Sequence, residues 1–316
     1  MRRGRRDWRA TGCDKRDFEC AWCETHRYAG NTRNRLACGP ASGCGQCLGE
    51  GIMYEFNYRK VDSVAAAVKA MQQAEDGKFV AGGQTMLPTM KHRLASPSDL
   101  IDLGGVAELT GINVENENLI IGAMTTHAAV AASAEVQQAI PALARLAGNI
   151  GDPAVRNRGT LGGSIANHDP AADYPAAVIA LGATVQTSKR AIPAEEFFTG
   201  MFETALEDDE IVTSVSFPLP EAAAYMKFEN PASRYAIVGV FVAKACGEVR
   251  VGVTGATACA HRAHRLEAAL GGELDAGGID AVELPVEQMN SDIHASAEYR
   301  AHLVKVMTKR AVEACQ

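Results

Sequence analysis

From Met53 onward, apolar and polar positions fall into a succession of short strands and amphipathic helices. Residues 54–58 alternate in the manner of a strand. Asp62 or Ser63 then caps a helix with Val64, Ala67, Val68 and Met71 on one stripe, and Gly77 closes it. Phe79, Val80 and Ala81 form a short buried strand that runs straight into Gly82, Gly83, Gln84 and Thr85. A short helix over 86–94 and a strand over 100–103 complete the unit. Units of this strand–loop–helix–strand kind place a ligand at the carboxyl end of a strand.

A second region begins near Leu109. Strands over 112–114 and 119–121 flank Glu115, Asn116, Glu117 and Asn118, which read as a hairpin turn. Thr125 or Thr126 caps the helix that carries His127, and 140–148 is helical as well. Residues 149–170, rich in Gly, Asn, Asp and Arg, are expected to be irregular. Loops of that length inside a compact domain are usually functional. A helix over 172–181, ended by Gly182, leads to strands over 184–187 and 211–217. Beyond Pro220, strands over 225–228, 236–245 and 249–254 indicate an antiparallel sheet turning at Cys246, Gly247 and Glu248. Helices cover 261–270 and 297–313, and no internal repeat or low-complexity tract interrupts the pattern.

Composition narrows the class. The 316 residues are 47% hydrophobic and 22% charged, ordinary for a globular chain of two or three domains. No apolar run reaches the ~18 residues that a membrane-spanning helix needs. A net charge of −7 argues against nucleic acid as the main partner. That average hides a boundary, because residues 1–52 hold 10 of the 31 basic residues but only 6 of the 38 acidic ones. Both tryptophans and six of the nine cysteines also precede Met53, leaving only Cys246, Cys259 and Cys315 after it. Thiols so sparse suit a reducing cytosol.

Residues 1–52 admit three readings. Cys20 and Cys23, with Cys44 and Cys47, have the spacing of a four-thiolate zinc site, yet no apolar cluster is present for such a site to pack on. Arg2, Arg3, Arg5 and Arg6 lack the apolar stretch that would complete a secretory or twin-arginine signal. Gly49, Glu50 and Gly51 can be encoded by a purine-rich ribosome-binding site just upstream of Met53. On that reading Met53 is the natural start; otherwise the segment is a zinc-binding or partner-binding extension.

Candidate chemistry centres on two glycine-rich segments. Gly82 and Gly83 follow a buried strand, where a chain without Cβ atoms can turn several backbone N–H groups toward one anion. Thr160, Leu161, Gly162, Gly163 and Ser164 repeat the design with hydroxyls on either side. Together they could cradle a dinucleotide's two phosphates, although either Gly-Gly pair alone is more often a plain turn. Neither matches G-x-G-x-x-G, which disfavours a nicotinamide-binding Rossmann site. Arg156 and Arg158 border the second segment, where they could pair with phosphate or bridge to a partner. Asp208, Asp209 and Glu210 read as a solvated turn, and His127, His168, His261 and His264 lack metal-ligand spacing. No Cys/His/Asp constellation for nucleophilic catalysis is present, so no catalytic residue is assigned.

Three motifs in order, residues 81–88, 121–126 and 160–173, resemble the signatures of one family. It is the FAD-binding medium subunit of the xanthine dehydrogenase and aerobic carbon monoxide dehydrogenase group, molybdenum hydroxylases. Residues 227–240 and 299–303 resemble its C-terminal domain, so the likeness runs from Met53 to the end and omits residues 1–52. It implies an α+β chain with a two-subdomain FAD-binding fold of the PCMH (vanillyl-alcohol oxidase-like) type. The subdomains would be 53–108 and 109–224, followed by a small C-terminal domain, 225–316, of three-stranded antiparallel sheet with helices.

The resemblance also carries site residues. In the first segment Gly82, Gly83, Gln84 and Thr85 would wrap the FAD pyrophosphate, with Ala81 and Leu87 cofactor-binding beside them, and Thr125 is the cofactor-binding residue of the second motif. Thr160, Gly162, Gly163 and Ser164 would contact phosphate or ribityl oxygens. Asp173 matches an acid that hydrogen-bonds the cofactor, though position alone equally suits a helix N-cap. Ile150, Ile211 and Val212 fall where the family lines the flavin ring, the last two being equally compatible with strand core. Lys227 matches a lysine near the isoalloxazine, where a cation stabilises reduced flavin.

By the same resemblance this chain does not oxidise substrate. A large subunit would carry the molybdenum cofactor and a small subunit two [2Fe–2S] clusters, in a dimer of heterotrimers. The FAD would collect electrons from the clusters and pass them to quinone, oxygen or NAD, in the cytoplasm or at the inner face of the membrane. Two other readings stay open. A stand-alone flavin oxidoreductase of the same fold would need its own substrate domain with a general acid or base, which 225–316 does not offer. A flavin-free docking subunit would have no reason to keep both glycine segments.

Overall fold

The computed structural model describes residues 53–315, and the readings made for residues 1–52 lie outside it. The first part runs β1 (Asn57–Lys60), α1 (Val64–Gln73), β2 (Gly77–Val80), α2 (Met86–Lys91), β3 (Asp99–Asp102). Its strands are parallel, in the order β1-β3-β2. Ser63 caps α1 by accepting from the Ala66 N–H. The expected stripe of Val64, Ala67, Val68 and Met71 packs against Ile101, Leu103 and Leu109. Two boundaries differ from expectation. Gly77 opens β2 instead of closing α1. Strand β1 begins at Asn57, since on this edge strand Tyr54 and Tyr58 face solvent, and the Tyr58 hydroxyl donates to Asp102.

The middle part opens with β4 (Ile112–Glu115) and β5 (Asn118–Gly122). Asn116 and Glu117 both have positive φ, 48° and 60°, the two-residue turn whose twist suits a hairpin. Six helices follow, α3 (His127–Ala132), α4 (Ala134–Ala139), α5 (Pro141–Gly148), α6 (Pro153–Arg156), α7 (Leu161–Asn167) and α8 (Tyr174–Ala180). Next come β6 (Thr184–Thr187), β7 (Ala191–Pro193), α9 (Ala194–Phe197), the hairpin β8 (Phe198–Gly200) and β9 (Glu203–Thr204), and β10 (Val212–Pro218). A five-stranded antiparallel sheet of order β4-β5-β10-β6-β7 packs Leu119, Ile121, Val215 and Phe217 against Leu143, Leu146 and Tyr174. Each fully buried Leu, Ile, Val or Phe among them contributes about 1.5–3 kcal/mol. The stretch expected to be irregular, 149–170, contains α6 and α7. Local caps explain this: Asp152 accepts from the Val155 N–H ahead of Pro153, and Thr160 accepts from the Gly163 N–H.

The last part comprises β11 (Ala222–Glu229), β12 (Ala236–Ala245), β13 (Glu248–Thr254), β14 (His261–Arg262), α10 (His264–Leu270) and α11 (Ala297–Cys315). Its strands form one antiparallel sheet in chain order. Three are the expected long strands. The fourth has only two residues, and its pairing with Gly252 and Val253 delays the helix expected from residue 261 until His264. One face of the sheet covers Leu303, Val304 and Met307 of α11. From the other face Phe241 and Ala243 join the core that contains α8. The C-terminal sheet is thereby fastened to the helices that border the site described next. No described helix is long and apolar enough to cross a membrane.

Candidate cofactor site

The β2–α2 loop and the start of α7 touch where both glycine-rich segments lie. A Cβ on Gly82 would stand 2.0 Å from the Arg158 carbonyl oxygen and 2.9 Å from the Gly159 Cα, so only a residue without a side chain permits this approach. Gly83 has φ +72°, a conformation that L side chains rarely adopt. The N–H groups of Gly82, Gly83, Gln84 and Thr85 donate to no acceptor among the described residues. Four consecutive unpartnered amides in a glycine turn are available to an anion, as in anion-binding backbone turns.

The second segment is a helix start, not a loop, and its donors are differently employed. Leu161 N–H donates to Thr125 O at 3.1 Å and Gly162 N–H to Ala123 O at 2.8 Å. Gly163 N–H donates to the Thr160 hydroxyl at 3.1 Å. What α7 leaves available is the Ser164 hydroxyl and, one turn on, the Asn167 amide, neither with a protein partner among the described residues.

Together these segments border a cavity of about 530 Å³, in the size range of small-molecule sites. Leu103, Met124, Ile150, Leu206, Ile211 and Val212 give it apolar walls, and Gln84, Ser164, Asn167 and Asp173 add polar groups. Tyr235 stands in the lining, half exposed. Of the residues expected at the site, the structure brings together Ala81, Gly82, Gly83, Gln84, Thr85, Ile150, Thr160, Gly162, Gly163, Ser164, Asp173, Ile211 and Val212. Leu87, Thr125 and Lys227 stand outside the lining. Leu87 packs beside Gly83, and the Thr125 hydroxyl bonds both backbone groups of Gly111.

Lys227 is buried, its side chain only 1% exposed. It is paired with Asp173 at 3.0 Å and donates to the carbonyls of Asn149 at 2.9 Å and Arg234 at 3.0 Å. One cation therefore ties three stretches of the cavity wall together. Arg156 does similar work, donating to the carbonyls of Ile150 and Gly151, both at 3.0 Å, while Arg158 contributes its backbone carbonyl against Gly82. Asp173 makes no cap hydrogen bond to α8. It accepts from Lys227 and from the Tyr225 hydroxyl. Burial pushes the Asp173 carboxyl above the usual carboxylate range, and Lys227 and Tyr225 draw it back.

His127 lines the cavity and was not anticipated there, though it directly follows the 121–126 motif. Burial, with Arg156 nearby, lowers its pKa to about 4 and keeps the ring neutral. Its Nδ1 is buried without a partner among the described residues, as is the hydroxyl of neighbouring Tyr174. Glu210 also lines the cavity instead of lying in a solvated turn. It accepts from the Glu207 N–H and from Arg190 and Thr187, the last two long-range partners that local charge patterning does not reveal. Tyr235 falls within the 227–240 segment, but nothing in its local sequence distinguishes it as a lining residue. Among the described residues no group of three or more His, Cys, Asp or Glu could hold a metal.

Comparison with known proteins agrees with this geometry. Residues 54–220 match the model of the FAD binding domain in molybdopterin dehydrogenase, and 223–315 that of the CO dehydrogenase flavoprotein C-terminal domain. The chain is similar to the nicotine 6-hydroxylase medium subunit of Paenarthrobacter nicotinovorans, at 36% identity over 81% of this chain and 96% of that one. It is also similar to the carbon monoxide dehydrogenase medium chain of Afipia carboxidovorans, at 33% identity over 82% and 96%. Among solved structures, Cu,Mo-CO dehydrogenase superposes with a TM-score of 0.76 at 32% identity, covering 82% of this chain and 97% of that one. Quinoline 2-oxidoreductase from Pseudomonas putida 86 gives 0.77 at 31% identity, covering 83% and 97%. An FAD fits the residues present: unpartnered amides suit a pyrophosphate, and an apolar slot with a tyrosine in its lining suits a flat ring.

Proposed function

The chain belongs to the FAD-binding subunits of the molybdopterin dehydrogenases, and from that premise we propose that it is the electron-exit subunit of a heterotrimeric molybdenum hydroxylase. Bound FAD supplies reversible uptake of one or two electrons. The chain's own residues bind the cofactor, orient it and keep water from it. The N–H groups of Gly82 to Thr85 hold the pyrophosphate, and Ser164 adds a hydroxyl from α7. Ile150, Ile211 and Val212 flank the ring, and Asp173 presents a carboxylate to it. Leu87, Thr125 and Lys227 support this site from outside the lining.

The observation that carries the reading is the run of four unpartnered amides opening into a largely apolar cavity. Partner subunits carrying the molybdenum cofactor and two [2Fe–2S] clusters, and an acceptor such as quinone, oxygen or NAD, complete the proposal. Relatives carry names such as the medium chain of carbon monoxide dehydrogenase and the xanthine dehydrogenase FAD-binding subunit of Escherichia coli. A tagged chain expressed with its neighbouring genes tests the assembly. Recovery of a molybdenum-containing large chain and an iron–sulfur small chain supports it; recovery of a flavoprotein that oxidises a substrate alone refutes it.

A further inference from the structure

We propose that Tyr225 is a positioning residue for the cofactor, acting through Asp173. The inference rests on the FAD reading of the cavity. Tyr225 and Lys227 stand two apart on β11 and so project from one face. Both address the same atom, Asp173 Oδ1: the Tyr225 hydroxyl at 2.5 Å and the Lys227 ammonium at 3.0 Å. The other carboxylate oxygen has no protein partner among the described residues, and Asp173 lines the cavity. Two donors on one oxygen fix the carboxylate's rotation and leave its second oxygen for an N–H or O–H of the bound FAD.

Tyr225 itself is outside the lining, so whatever it does for the cofactor passes through Asp173. The fold makes room for its hydroxyl. Gly239, the register partner of Lys227 on β12, would place a Cβ 2.4 Å from that oxygen. The Tyr225 ring packs near Phe241, with centroids 6.2 Å apart, so the ring serves the core and the hydroxyl serves Asp173. Tyr225→Phe separates the two roles.

The test uses the full chain and FAD itself, with affinity read from flavin fluorescence on release and folding from thermal unfolding of the apo chain. Y225F is expected to stay folded with a moderately lowered unfolding temperature, and to bind FAD about tenfold more weakly, the scale of one hydrogen bond from Asp173 to the cofactor. In an Asp173→Asn background the same substitution should have no further effect. A second readout is the acid limb of FAD binding. Lys227, Tyr225 and Glu229 from β11, with Tyr174 beside it and Tyr235 from the cavity lining, are the titratable or charged groups around Asp173. Removing a donor that favours the carboxylate should move that limb to higher pH. A wild-type chain that takes up no FAD overturns the cofactor reading and this inference with it. If the wild type binds FAD, three results overturn the positioning role alone: equal affinity in Y225F, an unchanged loss in D173N, or an unmoved acid limb.

Discussion

Gly82→Ala probes the contact on which the site is built. The added methyl would lie 2.0 Å from the Arg158 carbonyl oxygen, 2.7 Å from its carbon and 2.9 Å from the Gly159 Cα. All three neighbours are backbone, so no rotamer change relieves the overlap. A carbon–oxygen contact needs about 3.3 Å, which requires the loop to withdraw from the α7 side by more than about 1 Å. Overpacking of this kind costs about 1–3 kcal/mol, and the clash exists with or without cofactor. The apo chain should therefore lose that much stability in urea unfolding. FAD affinity should fall further, by at least about tenfold, because a withdrawn loop carries its four amides away from the start of α7. Gly83→Ala is the comparison. Its penalty is about 1–2 kcal/mol for the left-handed backbone, and its nearest neighbour is the movable end of Leu87 at 3.0 Å. Titration of both apo variants with FAD decides the matter. Wild-type stability and affinity in G82A would refute the close-approach argument.

Two further substitutions test other parts of the wall. The His127 imidazole is held neutral to about pH 4 in the folded chain, whereas an unfolded histidine takes its proton near pH 6.5. Stability is thus full above that value and declines as pH falls toward 4, by roughly 2 kcal/mol at pH 5. His127→Phe should remove this part of the acid sensitivity, and urea unfolding at two pH values will show whether the difference shrinks. Lys227→Met leaves Asp173 buried without its cation, a change worth about 3–5 kcal/mol of stability; Lys227→Arg should recover part of it. A Met variant as stable as wild type by thermal unfolding would show that Lys227 does not bind the wall together.

Much of this was legible in the chain, and the exceptions have physical causes. Stripes such as Val64, Ala67, Val68 and Met71 mark a helix because burial repeats with its period. β12 could be read to the residue because its apolar run is buried on both faces. The segment 149–170 misled because Gly162 and Gly163 lower helix propensity, while the Thr160 cap that secures α7 is one side-chain bond. Both glycine segments were visible, but not that one offers free amides and the other spends its amides on Ala123, Thr125 and Thr160. The resemblance puts Lys227 beside the flavin ring, whereas the folded chain puts it outside the cavity lining. Its place behind Asp173, and the partnership of Tyr225, depend on β11 meeting α8 across 52 residues or more of chain. Contacts of that range leave no local pattern.

Cofactor content decides whether the cavity is a flavin site. The chain, purified as it is expressed and then incubated with excess FAD and desalted, should show the visible absorbance of bound flavin. Heat denaturation should release one FAD per chain. A chain that emerges from that treatment colourless, with an apo fold intact by circular dichroism, would contradict the assignment of the cavity.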